Sequence, residues 1–340
     1  MRIGILTGGG DCPGLNAAIR AVVKRGTSEH GHSIIGFRDG WKGFLDGDSI
    51  PLDRNDVRGT LVQGGTMLGT ARCHPHEEPG GLERVQETVE AEKLDAIICI
   101  GGDGTLTAAA KVGETGVPVI GIPKTIDNDV VGTDASIGYD TAVMIATEAV
   151  DRLHSTAESH NRVMVVELMG RHCGWIAVAA GLAGGADIIL APEEPFDIEK
   201  IAKRIHHRHR SQQGFSIVAV AEGARPADGT DWPVGDSLDA RGNPIAGEIG
   251  AQVTREIAAR TGFEARLTVL GYVQRGGTPT AADRLLATRM GVAAIDAASN
   301  GVTQKMAALQ GDRIVLEDLS ASAGKTKYVP QELLDAIRGL

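Results

Sequence analysis

The chain has 340 residues, 42% of them hydrophobic and 3% aromatic, and a formal net charge of −10. That length buries a sizeable core in one domain or two, while the acidic balance and scarce aromatics argue against nucleic acid as a main partner. No apolar stretch approaches the roughly 20 residues of a membrane span, and the opening MRIGILTGGG is too short in its apolar part for a secretory signal, so a soluble cytoplasmic protein with no membrane partner is expected. Cys12, Cys73, Cys99 and Cys173 stand far apart with no Cys-x-x-Cys pair, which speaks against a zinc site and a disulfide framework alike.

In chain order, short β-branched runs read as buried strands: RIGIL (2–6), SIIGF (33–37), DAIICI (95–100), VPVIGI (117–122), RVMVVEL (162–168), DIILA (187–191), FSIVAVAE (215–222) and RLTVLG (266–271). Between them, GLNAAIRAVVKRG (14–26), TAVMIATEAVDRLH (141–154) and AGEIGAQVTREIAAR (246–260) carry apolar residues at the three- and four-residue spacing of amphipathic helices. Strand alternating with helix predicts an α/β fold with mainly parallel sheets flanked by helices. Eight such strands are many for one sheet, so two lobes are expected, with a break near 138–140. The cluster HHRHR (206–210) could be a metal or anion patch, but it continues a helical pattern from Asp197 and offers no paired ligand, so a solvated helix face is preferred. The stretch ARPADGTDWPVGDSLDARGNP (224–244) reads as a long surface loop, either functional or a tolerated insertion.

Ligands of open α/β sheets bind beyond the carboxyl ends of the strands. TGGGDCPGLN (7–16) follows the first strand and runs into a helix, as a phosphate-binding turn or a plain tight turn would; its glycine spacing is not that of a dinucleotide fingerprint. GGDGTLTAAA (101–110) follows the third strand, with Asp103 placed to cap a helix or to hold Mg²⁺ beside phosphate. PKTIDND (123–129) follows the fourth and sets Lys124 and Thr125 beside two carboxylates, Asp127 and Asp129, which could share a proton-accepting and a metal-holding role. MGRHCG (169–174) and GYVQRGGTPTAADR (271–284) each put an arginine, Arg171 and Arg275, just past a strand. An arginine fork suits phosphate, so the strand ends together point to one phosphate-rich site. SAGKT (322–326) has the ending of a Walker loop, but Leu319 stands where that loop needs its first glycine.

These stretches, with GGTMLGTAR, GTDASIGYDTA, SHNRVMVVELMGR and AEGA, lie in the order and spacing of the bacterial 6-phosphofructokinases, which the chain resembles from residue 3 to about 290. The resemblance implies the phosphofructokinase fold: two Rossmann-like lobes, a nucleotide-binding one of 1–138 plus about 274–323 and a sugar-phosphate-binding one of 139–273 plus about 324–340. It implies Mg²⁺-dependent phosphorylation of fructose 6-phosphate by ATP, with pyrophosphate as the alternative donor. Asp127 would be the base, with Thr125 beside it, and Arg171 and Arg72 would stabilise the transferring group. Asp103 and Asp129 would serve the metal. Gly10, Arg72, Cys73, Gly102, Asp103, Gly104 and Thr105 match the nucleotide site. Thr125, Ile126, Asp127, Met169, Gly170, Arg171, Glu222, Tyr272, Val273, Gln274 and Arg275 match the sugar-phosphate site. Arg162 and Arg266 would reach that site from a neighbouring subunit, which implies a dimer or tetramer.

Two positions bear on the donor. In the resembled family a glycine at Gly104 leaves room for nucleotide where pyrophosphate users place an aspartate, whereas Lys124 is like the pyrophosphate type. Gly104 is given the greater weight, because an aspartate there would exclude ATP while a lysine only adds a cation. Tyr272 stands where many relatives have a histidine. Arg20, Arg54 and Asp187 suit the family's effector site but Lys24, His154 and 206–213 do not, so allosteric control is not expected. A dinucleotide oxidoreductase is disfavoured by the glycine spacing. A non-catalytic sugar-phosphate sensor is disfavoured by the presence of Asp127 and the magnesium carboxylates.

Overall fold

The structure, a computed structural model, describes residues 1–210, 214–227 and 246–338. The 224–244 loop lies outside these from residue 228 onward, as do the last three residues of 206–213. Eleven strands are described: β1 (Arg2–Thr7), β2 (Ser33–Phe37), β3 (Ser49–Leu52), β4 (Ala96–Gly101), β5 (Val119–Pro123), β6 (Val163–Leu168), β7 (Ile188–Leu190), β8 (Ser216–Ala221), β9 (Ala265–Val269), β10 (Lys305–Gln310) and β11 (Arg313–Asp318). They form two sheets, of order β11-β10-β5-β4-β1-β2-β3 and β7-β8-β6-β9. The chain divides into two compact units, Met1–Thr141 with Arg275–Lys327, and Ala142–Gln274 with the stretch from Tyr328.

In the first unit β1, β2, β4, β5 and β10 run parallel, with Ile3 opposite Ile34 on one side and Ala96 on the other. Only the edges are antiparallel, β3 on β2 and β11 on β10. The strand order reverses between β1 and β4, the switch point at which doubly wound sheets bind ligands. Full burial of β4 and β5 explains their unbroken apolar runs. One face packs Ile97, Cys99, Val119 and Leu106 against Phe37, Trp41 and Phe44, with the Phe37 and Phe44 rings 4.2 Å apart. The buried Asp283, on the first turn of the helix Ala281–Ser299, accepts from the N–H groups of Gly138 (2.8 Å) and Thr141 (2.9 Å), fixing the chain at the end of the unit's first segment.

The second unit is a four-stranded parallel sheet with β6 between β8 and β9. Val163, Val165, Val218 and Val220 pack against the helices Ile198–Arg210 and Glu248–Thr261 through Ile201, Ile205, Val253 and Ile257. The basic end of Ile198–Arg210 departs from the expected solvated face: His209 stacks on Phe263 with centroids 4.0 Å apart, and Arg208 pairs with Asp187 at 2.5 Å. Only His207 and Arg210 of that cluster are exposed.

Three strands escaped the sequence pattern. The strand β3 carries Pro51, tolerated because it lies on a sheet edge. In β10 and β11, KMAALQ has ordinary helix formers, and the exposed edge strand RIVLED lacks a continuous apolar run. Their pairing across a tight turn overrides local propensity. Among the described residues no helix is long and apolar enough to cross a membrane.

Candidate active site

Because β1, β4 and β5 are neighbours, the turns after them are neighbours too. Gly8 N–H donates to the Ile100 carbonyl (2.9 Å), and Lys124 N–H to the Gly101 carbonyl (2.9 Å). The buried Thr105 side chain fills the space over both glycine turns. A Cβ on Gly8 would stand 2.5 Å from Thr105 Oγ1, so the backbone can approach only with glycine there. Gly102, Asp103 and Gly104 open the helix Asp103–Glu114, whose first N–H groups suit an anion. A Cβ on Gly104 would stand 2.5 Å from His74 Cε1, so the loop that carries Arg72, Cys73 and His74 lies against this turn. Arg72 is exposed; Cys73 is half-buried against the core, and burial pushes its thiol pKa up. The guanidinium of Arg275, a buried residue of the first unit, lies over Gly10 and donates to the Asp11 carbonyl at 3.4 Å.

Lys124 is buried, and its ammonium donates to the carbonyls of Gly8 (3.0 Å) and Gly10. It therefore ties the first glycine turn to β5, a structural duty that the sequence did not disclose. Beyond it the chain makes a tight loop. Asp127 N–H donates to Thr125 Oγ1 (3.1 Å), Ser136 Oγ donates to the Thr125 carbonyl (2.7 Å), and Asn128 takes a left-handed φ of 52°. Ile126 and Asp127 are buried, and the Oδ1 atoms of Asp127 and Asp129 are both shielded from solvent.

The segment set aside as a false Walker loop closes over this loop. Gly324 N–H donates to Asp103 Oδ1 (3.2 Å), Thr326 bridges Val130, and Lys327 N–H donates to the Asp129 carbonyl (2.8 Å). Lys327 Nζ donates to Asn128 Oδ1 (3.1 Å) and to the carbonyls of Thr133 (2.7 Å) and Asp134 (3.0 Å). Residues 324–327 thus group with the first unit rather than, as expected, with the second. No spacing in SAGKT signals that role; only the tertiary bonds reveal it.

In the second unit, buried Glu222 follows β8 and aims its carboxylate at the turn after β6. Its Oε1 accepts from the N–H groups of Gly170 (3.2 Å) and Arg171 (2.8 Å), holding Arg171 at a left-handed φ of 52°. The buried Gln274 side chain accepts from Met169 N–H at 3.3 Å. Tyr272 and Val273 project outward, 77% and 67% exposed. Arg162 and Arg266 converge on one carboxylate, Glu264, which Arg162 approaches to 2.8 Å. These arginines hold the Glu264 pKa below the usual carboxylate range. Asp187 is bound by Arg208 and by Ile217 N–H (2.8 Å), and His154 Nε2 meets the Gly184 carbonyl (2.7 Å). Two residues weighed for an effector site thus serve local structure.

The first unit offers Asp103, Asp127 and Asp129 as hard oxygen donors, and the shielded Oδ1 atoms of the last two fit a cation such as Mg²⁺. The site is therefore one of clustered glycine turns, buried carboxylates and arginines, the equipment of phosphoryl transfer.

Residues 2–298 match the Phosphofructokinase family model. The chain is 52% identical over 332 residues to the pyrophosphate–fructose 6-phosphate 1-phosphotransferase of Amycolatopsis methanolica, covering 98% of this chain and 97% of that protein. It is 51% identical over 338 residues to the ATP-dependent 6-phosphofructokinase of Mycobacterium tuberculosis (strain H37Rv), covering 98% of each. Among solved structures, Pichia pastoris phosphofructokinase superposes with a TM-score of 0.83 at 35% identity, over 94% of this chain and 35% of that longer one. The pyrophosphate-dependent enzyme of Marinobacter aquaeolei superposes with a TM-score of 0.83 at 26% identity, over 98% and 86%. The chain belongs to the phosphofructokinase family.

Proposed function

We propose that this chain transfers the terminal phosphoryl group of ATP to the 1-hydroxyl of fructose 6-phosphate, giving fructose 1,6-bisphosphate and ADP, in the cytoplasm. The observation that carries this reading is Asp127, a buried carboxylate at the end of β5 in a loop pinned at Thr125, Asn128 and Asp129. A fixed, shielded carboxylate is suited to accept the proton of an attacking hydroxyl. The donor's phosphates fall to the glycine turns after β1 and β4, with Arg72 and Asp103. The acceptor's phosphate falls to Met169, Gly170, Arg171, Glu222 and Gln274. Arg162 and Arg266 act on a neighbouring subunit, which makes the working protein an oligomer. Mg²⁺, when bound by Asp103 and Asp129, would supply charge neutralisation between donor phosphates.

Relatives with either donor are nearly equally similar, so overall identity does not choose between ATP and pyrophosphate. Lys124 favours pyrophosphate by its type, but its ammonium donates to the Gly8 and Gly10 carbonyls and so carries a scaffold duty. Gly104 is the position that favours ATP, because glycine leaves room for nucleotide where an aspartate would crowd and repel it; a Cβ there would meet His74. Initial rates with Mg²⁺ and fructose 6-phosphate, run in parallel with each donor, test the assignment. Turnover with ATP and none with pyrophosphate is expected; the reverse would overturn the donor, and turnover with neither the whole proposal.

A further inference from the structure

Just beyond Arg72 the chain reads CHPHEE (73–78), and three of its side chains, His74, His76 and Glu77, bring their ligand atoms within 4.8 Å of one another. Among the described residues this is the one group of three or more histidine, cysteine or acidic side chains so arranged. Glu77 Oε1 lies 3.9 Å from His74 Nδ1 and 3.9 Å from His76 Nε2. The two rings are tilted by 49° with centroids 5.9 Å apart, so their edges rather than their faces can converge. We propose that this cluster is a site for a borderline divalent metal ion of the Zn²⁺, Co²⁺ or Ni²⁺ class, separate from the magnesium carboxylates.

The ligand chemistry selects the ion. Two imidazoles and one carboxylate match zinc-type sites, whereas Mg²⁺ prefers oxygen alone. Tetrahedral ligation at about 2.0–2.2 Å places ligand atoms about 3.4 Å apart, so the observed separations need only a small rotamer adjustment to close. A water would complete the shell, since Glu77 is exposed and the site opens to solvent.

The scaffold is ready for such an ion. Pro75 is buried in the short helical turn Pro75–Glu77, and Glu77 N–H donates to the His74 carbonyl at 3.0 Å. Gly81 packs directly on this turn, where a Cβ would stand 2.1 Å from the Pro75 carbonyl oxygen, so the backbone cannot spread. His76 Nδ1 is buried with no hydrogen-bond partner, so no other polar network claims this ring.

The location gives the ion a consequence that rests on the donor assignment proposed above. His74 Cε1 stands where a side chain on Gly104 would be, so an ion that fixes His74 also fixes the wall of the donor turn. Occupancy should change the KM for the phosphoryl donor and leave that for fructose 6-phosphate unaltered.

The test is made first without substrates, so that its outcome is independent of the reaction. Full-length protein stripped with a chelator is titrated with Co²⁺ in excess Mg²⁺, and the visible spectrum and calorimetric heat are followed. One Co²⁺ per chain with a tetrahedral spectrum is expected, weakened at least about tenfold in His76→Gln and in Glu77→Gln. His207→Gln, on the exposed face of its helix, should bind as the parent does. Absence of saturable binding, or equal binding by a His74→Gln/His76→Gln double variant that folds, would overturn the proposal. Failure of the KM effect alone, with binding intact, would overturn only the coupling to the donor turn.

Discussion

Asp127 owes its assigned role to its neighbours as much as to its carboxylate: Thr125 accepts its N–H, and the residues on either side are held by Ser136 and Lys327. If it is the base, Asp127→Ser should lower kcat by about 10²–10⁴-fold, the usual worth of a positioned proton acceptor, while the KM for fructose 6-phosphate stays within a few-fold. Steady-state kinetics decide this, and a variant with near-normal turnover would remove the assignment. At Gly104 a methyl group alone would meet the His74 ring. Gly104→Ala should therefore raise the KM for ATP, and His74→Ala added to it should recover most of the loss. No recovery would mean that the new methyl obstructs the donor itself. The placement of Asp127, Gly104 and Lys124 just past strand ends was legible from motif spacing. Lys124's attachment to two carbonyls was not, since a sequence does not tell which backbone oxygens a buried ammonium will reach.

Among the elements, the strap of residues 324–327 groups with the unit opposite to the expected one. SAGKT could be rejected as a Walker loop, but its bonds to Asp103, Val130 and Asp129 depend on β10 and β11, which the apolar pattern did not reveal. Lys327 Nζ gathers three oxygens of the loop that holds Asp127. Lys327→Met should cost about 1–3 kcal/mol of stability and lower kcat more than it changes either KM, because it loosens the loop without touching substrate. Thermal melts and kinetics on the same preparation would show this, and a stability loss with unchanged kcat would reduce the strap to scaffold. A second element contact is sensitive to pH. Glu167, buried on β6, accepts from the Gly250 N–H (2.7 Å) and the Gly247 N–H at the start of Glu248–Thr261, and desolvation raises its pKa above 4.5. From that pH upward to its raised value the folded chain keeps a proton that the unfolded chain has released, so stability falls as pH rises through this window. Urea midpoints of the parent should therefore decline relative to Glu167→Gln over that range; parallel curves would contradict the shift.

At the scale of the whole molecule, two α/β units were legible because parallel strands buried on both faces leave unbroken apolar runs. The return of the chain to the first unit through β10 and β11 was not legible from periodicity, since Ala-rich β10 is no stronger a strand signal than a helix signal; the family resemblance supplied about 274–323, and the unit runs on to Lys327. Assembly has no signal in the periodicity either. Arg162, at the start of β6, and Arg266, in the edge strand β9, share Glu264, with Tyr272 and Val273 exposed in the turn that follows. Two cations against one carboxylate leave a net positive charge that suits a phosphate presented by another subunit. If that subunit's site holds Asp127, then Asp127→Ser and Arg162→Ser damage different chains of one shared site. Each variant alone should be nearly inactive at limiting fructose 6-phosphate. Unfolded together and refolded as a statistical mixture, they should regain roughly a quarter of the parent activity, because half the assemblies of a twofold-symmetric pair are hybrids and each hybrid has one intact site of two. No gain over the separately refolded variants, with hybrids demonstrated by a tag on one chain, would mean that Arg162 serves its own subunit.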